Sequence, residues 1–405
     1  MAGSISLEAG LADHGTRRNI PDQSGALPMN AIFKTVLPKR RVNIISAISA
    51  TAEARNTSAP RIGTEILRLA TGRQRLSWKH YFLYGAHMPG LSDAQRAEFL
   101  GDPVMRNMNN VLSPSIAGLI GDKHLVDQVL TRCGIAVAGI RAVAAVGRLD
   151  SACEVLRNPA EIKAFLTGTP LPFFGKPCNE SRSIGAVSVV ERDGEMLILG
   201  DGSRITADDF AREITALFPN GYIFQNLMVP HPDLARIVGP VIASLRVVTV
   251  RLGGDVLPLY SAMKMPGKGQ MVDDVVSIIN TLCAVDLTSG RILRGQDACR
   301  MGGTPMPLQP VTGATLAGAQ LPLWPETVRL AVDCHAPFLR QGLLATDIAI
   351  TPEGPKVIEL NSHPLHGFYQ KCFTRGFWNA DIAPIMTEVL ADFGHRKATR
   401  TLPYP

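Results

Sequence analysis

No apolar run in the 405-residue chain approaches the roughly 18 to 20 residues that a membrane helix needs, so no bilayer span is expected. The seven cysteines (Cys133, Cys153, Cys178, Cys283, Cys299, Cys334, Cys372) are scattered and include no C-x-x-C pair. That spacing indicates neither a disulfide framework nor a zinc site, and a reducing, cytoplasmic setting is expected. Aromatic residues make up only 6% of the chain, and none interleaves with the basic cluster PKRR (Pro38 to Arg41). A base-stacking surface needs such interleaving, so no nucleic-acid partner is expected. The opening MAGSISLEAGLADHGTRRNIPDQSG is broken by Glu8, Asp13 and His14, so it does not read as a secretory signal. Repeats of fixed period are also missing.

The chain carries an excess of positive charge, 41 Lys+Arg against 35 Asp+Glu with a pI near 9.0, and this favours anionic partners such as a nucleotide or a phosphorylated or carboxylated small molecule. Its length calls for more than one core, with room for a cleft between them. Small and charged residues dominate residues 1–59, which read as a flexible, solvated arm. Over 60–114 the pattern is helical and auxiliary: Ile62, Ile66 and Leu69 share a face, Trp78, Tyr81 and Phe82 read as core, and Ser92 with Gln95 makes a capping box. Asp122 caps a helix with Leu125, Val126, Val129 and Leu130 on one stripe, closed by Gly134. PLPFFGKP is a strand ending on Lys176, followed by the loop CNESRSIG and the strand AVSVV. Thr206 and Asp209 cap another helix, before the strand and linker GYIFQNLMVPH and the β-branched strand SLRVVTVRL. Gly, Pro and Gln thicken over 293–323, which predicts a surface excursion or lid. WPETVRLAVDCHAPFLRQG restores a helix, with Val328, Ala331, Val332, His335 and Leu339 aligned and His335 structural.

Most informative is LLATDIAITPEGPKVIELNSHP. Two strands flank the loop Pro352-Glu353-Gly354, with Pro and Gly where a turn wants them. Counting outward from Thr351 opposite Pro355 pairs Ala349 with Val357 and Asp347 with Glu359. Period-2 alternation then puts Asp347, Glu359 and Asn361 on one face. Opposed acids repel, so something positive is expected between them, and two carboxylates with an amide oxygen suit Mg²⁺.

These residues resemble the metal-binding end of the ATP-grasp superfamily. RLSWKHYFLYG, GDKHLVDQVL, FFGKP, SLRVVTV and AVDLTSG, taken in order, resemble its sugar-transfer-associated branch over about residues 60 to 390. The resemblance implies an α+β ATP-grasp fold, two α+β subdomains (115–220 and 221–392) clasping ATP, with a mainly helical N-terminal extension and a tail over 393–405. It implies Asp347, Glu359 and Asn361 as magnesium ligands. It also implies Lys123 and Lys176 on the nucleotide phosphates, with Ser181, Ser183 and Gly185 in the covering loop. Gln225, Asn226 and Met228 would read adenine, Asp233 or His231 the ribose, and Arg246 and Lys264 would steady the transferring phosphoryl group. The implied activity is ATP- and Mg²⁺-dependent ligation of a small-molecule carboxylate to an amine. A small-molecule kinase and a nucleotide-binding scaffold are the alternatives, and homodimerisation stays open. The sequence departs from the branch in its single-glycine phosphate loop, in VSIINTLCAVDL, and in SHPLHG after Asn361, which leaves His363 and His366 near the metal edge.

Overall fold

The computed structural model describes residues 43–113, 117–150, 152–181, 183–271, 280–298 and 301–398. Helices come first. Asn43 accepts from the N–H groups of Ile45 and Ser46 and starts α1 (Ile44–Ala54). There follow α2 (Ala59–Thr71), α3 (Trp78–Leu83), α4 (Asp93–Ala97), α5 (Asp102–Leu112) and α6 (Ala117–Ile120). The capping box of Ser92 and Gln95 starts α4 as the sequence predicts. The flexible arm expected over 1–59 needs correction over residues 43–59. Within α1, Ala47, Thr51 and Ala52 are buried, and Arg55 just beyond it donates to Glu65 at 2.9 Å and to the Tyr81 hydroxyl at 3.0 Å. Residues 1–42, PKRR included, lie outside the described residues.

Next come α7 (Lys123–Arg132), β1 (Ile140–Ala144), β2 (Glu154–Leu156), α8 (Pro159–Gly168), β3 (Phe173–Pro177), β4 (Val187–Asp193), β5 (Met196–Leu199), β6 (Arg204–Thr206), α9 (Ala207–Leu217) and β7 (Tyr222–Asn226). Asp122 caps α7, and Gly134 just past its end has φ of 73°, a conformation costly for any side-chain-bearing residue. The stripe of α7 differs from expectation, because Leu125 is exposed and His124 is buried with Val126 and Leu130. The strands pair in the order β2-β1-β7-β3-β4-β5-β6, and α8 and α9 bury Ile162, Leu166, Phe210 and Ile214 against Phe173 and Phe224.

The remaining elements are α10 (Pro232–Val238), β8 (Ser244–Leu252), β9 (Asp255–Met265), β10 (Thr281–Val285), β11 (Ile292–Asp297), α11 (Trp324–His335), β12 (Leu343–Thr351), β13 (Gly354–Asn361), α12 (His366–Phe373) and α13 (Ala383–Ala398). This antiparallel sheet runs β11-β10-β9-β8-β12-β13. Val247, Met263, Cys283 and Ile348 pack toward Trp324 and Ala331 of α11. Its opposite face carries Val248, Tyr260 and Ala345 into the core built with the N-terminal helices. The helical extension is therefore part of this sheet's core, because β8, β9 and β12 would otherwise expose an apolar face.

Three further expectations change. Of residues 293–323, the described ones keep the expected surface character, with Pro310 to Gly313 exposed, but they are anchored rather than lid-like, since β11 occupies their start and Gln309, Leu316 and Leu321 are buried. Leu339 lies past the end of α11 and is exposed. The tail expected from residue 393 begins inside α13. Residues 276–279 of VSIIN fall outside the described residues. Among the described residues no helix is long and apolar enough to cross a membrane.

Candidate active site

The hairpin of β12 and β13 differs from its sequence reading in two places, and the differences cancel. Its turn has only Pro352 and Glu353 between the paired residues Thr351 and Gly354, and Ile348 pairs with Val357. The register then shifts, so that Ile358 stands as an extra residue in β13 and Asp347 still faces Glu359. A bulge leaves one residue's backbone outside the ladder. Here the Ile358 carbonyl accepts from the Lys176 ammonium at 2.9 Å, a bond from β3 of one sheet to β13 of the other.

The charge expected between the opposed acids comes from the protein itself. Arg246 on β8, the cross-strand partner of Asp347, donates from Nε and Nη2 to its two carboxylate oxygens, each at 2.7 Å. Lys264 Nζ lies 3.8 Å from the same carboxylate. Burial alone would push the Asp347 carboxyl up, but the charges of Arg246 and Lys264 outweigh it and hold the group low. Glu359 is less enclosed. Lys123 Nζ approaches it at 3.7 Å, and the Asn361 amide donates to it at 3.2 Å and lies 3.5 Å from Asp347. The positive charge expected between the acids is thus already present without a metal. The donor set nevertheless suits a hard cation: two carboxylates lie beside an amide that now turns its nitrogen to them and would offer its oxygen once flipped, and Glu359 keeps oxygen capacity that its neighbours do not use.

Lys123, Lys176, Gln225 and Glu359 line one cleft, walled by apolar residues such as Val126, Val137 and Leu360. Lys123 also donates to the Glu180 carbonyl in the loop between β3 and β4. In that loop Ser181 is exposed, Ser183 has φ of 58° and Gly185 has φ of 69°. A Cβ at Gly185 would meet the Phe218 ring at 2.4 Å, so both conformation and space require glycine there.

The sequence of this chain matches the family model for sugar-transfer associated ATP-grasp proteins over residues 106–379. The chain belongs to that ATP-grasp family. No curated protein matches it. Among solved structures it is similar to the L-amino acid ligase from Bacillus licheniformis, with 13% identity, a TM-score of 0.38, and 75% of this chain and 50% of that one covered. The D-alanine-D-alanine ligase from Helicobacter pylori is similar at 12% identity and a TM-score of 0.37, covering 67% of this chain and 61% of that one. For the VanG D-Ala:D-Ser ligase from Enterococcus faecalis the values are 14%, 0.39, 70% and 62%. This ATP-grasp chain thus spans from half to just over three-fifths of the length of these three structures.

Other expected site residues of this ATP-grasp chain have contacts of their own. The Asn226 side chain is occupied by Arg141, which donates to it at 2.7 Å, and its own amide donates to the Ala138 carbonyl at 3.3 Å. Met228 is half-buried in the linker after β7. Asp233 is exposed on the first turn of α10, paired with Arg236 at 3.0 Å, and His231 caps that helix. His366 is buried between Tyr260 and Asn109, while half-buried His363 contacts Asn110 and Ser362. His335 is held by Thr249 and the Gln341 carbonyl, as a structural histidine would be.

Sequence reasoning missed Asp127, whose carboxyl lines the cleft and is pushed up to about 6 by burial. Its spacing of four from Lys123 on a helix was the available signal. It also missed the convergence of His124, Asp150 and Cys153, whose ligand atoms lie within 4.8 Å of one another. Metal chemistry does not fit there. Arg148 can only donate, so His124 Nδ1 accepts from it at 3.1 Å, and Nε2 then carries the proton given to Asp150 at 2.6 Å.

Proposed function

We propose that the cleft binds ATP with Mg²⁺ between subdomains 115–220 and 221–392 and activates a small-molecule carboxylate for ligation to an amine. One observation carries this reading: four cations drawn from both halves, Lys123, Lys176, Arg246 and Lys264, converge on the two carboxylates Asp347 and Glu359. That surplus of positive charge suits a triphosphate and an acid substrate. Asp347, Glu359 and Asn361 would hold Mg²⁺, which when bound supplies charge neutralisation at the phosphate oxygens.

The chain's own residues then act by position and charge. Lys123 and Lys176 bind phosphate oxygens, exchanging their present contacts with Glu359 and the Ile358 carbonyl for charge-assisted bonds. Ser181, Ser183 and the backbone around Gly185 cover the phosphates. Gln225 and the backbone of Asn226 to Met228 receive the base, and Asp233 is assigned to the ribose. Arg246 and Lys264 steady the acid's oxygen as it attacks the γ-phosphorus and ADP leaves. An amine nitrogen then attacks the acyl carbon, phosphate departs, and the amine gives up a proton.

A panel of carboxylates with ATP, Mg²⁺ and hydroxylamine tests the reaction: ADP release with hydroxamate formation is expected for the cognate acid. A stable phosphoester formed on an alcohol would replace the ligase with a kinase. Tight Mg-ATP binding without turnover would leave a scaffold.

Lys176 gives a pH test. Burial and the charge of Lys123 push its ammonium down to about 8. The free protein therefore loses that positive charge as pH rises through about 8, and binding a polyanion must take the proton back. Mg-ATP affinity is expected to fall above that pH by up to about tenfold per unit, with proton uptake detectable by calorimetry in buffers of different ionisation enthalpy. Lys176→Met should remove both effects, and unchanged affinity in that variant would reject the assigned role.

A further inference from the structure

Beside Lys264 the second sheet buries two polar side chains that lack hydrogen-bond partners among the described residues. Ser244 Oγ and the Asn280 amide nitrogen are both unmet, although Ser244 is only 2% and Asn280 only 1% exposed. Buried donors are seldom left this way without a ligand or water to meet them. Their placement is specific. Ser244 is the direct cross-strand partner of Lys264 and lies two residues before Arg246, so it shares the face that carries Arg246 and Asp347. Lys264 pairs on its other side with Leu282, and Asn280, two residues earlier, lies on that same face as its diagonal neighbour. The orientation of the Asn280 amide is settled by its oxygen, which accepts from the Gly267 N–H at 3.2 Å and leaves the NH₂ group as the open donor.

Resting on the ligase reading above, we infer that Ser244, Lys264 and Asn280 form an oxyanion subsite for the carboxylate of the acid to be activated. The three offer a hydroxyl, an ammonium and an amide NH₂, while Leu282 and Ala262 on the same face keep its floor apolar. An anion beside Lys264 would answer the two open donors, whereas a cation or an apolar group would leave Ser244 and Asn280 unmet. Lys264 also lies 3.8 Å from Asp347, so the subsite adjoins the acids assigned to the metal and the phosphates. A carboxylate held there would present an oxygen toward the transferring phosphoryl group.

The experiment titrates ¹³C-acetate, followed by NMR, into the full-length protein with and without Mg-ADP, and repeats it with Ser244→Ala and Asn280→Asp. The second variant keeps the oxygen that serves Gly267 and replaces the donor with a negative charge. Acetate is expected to bind the native protein, to weaken by about tenfold in Ser244→Ala, and to be lost in Asn280→Asp, with Mg-ADP affinity unchanged in both. The melting temperature of Ser244→Ala without ligand should stay level or rise, because a hydroxyl without a partner leaves no bond to lose. Acetate that fails to bind, or binds both variants as it binds the native protein, overturns the subsite. So does a fall in the melting temperature of Ser244→Ala with acetate binding retained. Failure of Mg-ADP to bind would instead remove the ligase reading, and the nucleotide-free titration would still decide the subsite.

Discussion

Asp347→Ala is expected to cost roughly 3–5 kcal/mol of unfolding free energy in denaturant titrations, because it strands a buried guanidinium. Arg246 is 8% exposed and spends Nε and Nη2 on the Asp347 carboxylate. Arg246→Met should also destabilise, though less, since Lys264 at 3.8 Å still faces the acid. The double variant Asp347→Leu with Arg246→Met should recover much of the loss, because no charge is then left buried without its partner; the difference is the coupling energy of the pair. Nucleotide turnover should be absent in all three. The acid's folded-state affinity for a proton is depressed, so its contribution to stability is present above the unfolded value of 3.8 and is lost as pH falls below that toward the lower folded value. A cost under about 1 kcal/mol for Asp347→Ala would mean that the pair is solvated in solution.

Glu359→Gln is expected to do the opposite: leave the fold within about 1 kcal/mol of the native protein and lower Mg²⁺-dependent ADP release by at least about a hundredfold. The Glu359 side chain is 26% accessible, and its nearest cation, Lys123, is at 3.7 Å. Removing its charge therefore leaves no buried ion alone. Part of the lost rate should return at high Mg²⁺ if the residue acts as a ligand. Turnover unchanged beside a lowered melting temperature would make Glu359 a structural residue and leave the metal assignment without its main donor.

The two acids are two letters in similar strand patterns, and nothing local separates them. Legible in the chain were the features set within a few residues: the caps at Ser92, Asp122 and Thr206, the left-handed glycine at 134, and the alternation that puts Asp347, Glu359 and Asn361 on one face. Not legible was the bulge at Ile358, because strand alternation is blind to an inserted residue until its partner strand is known. The shorter turn at Pro352-Glu353 offset that error, so the pairing of the acids was reached through a register that is wrong in between. Helix α1 was missed for a related reason: its small residues carry a weak apolar pattern, and the burial of Ala47 and Ala52 depends on helices that come later in the chain.

Fold class and family were determined by the sequence itself, through ordered motifs that fall within the match over residues 106–379, except RLSWKHYFLYG, which precedes it. What neutralises Asp347, what holds Lys176, and which donors beside Lys264 stand open were decided only in three dimensions. Turn chemistry and strand period act over a few covalent neighbours. The energy of a charge instead depends on how far water is excluded and on partners brought to it from 101 residues away, as Arg246 is to Asp347, or from 182, as Lys176 is to the Ile358 carbonyl.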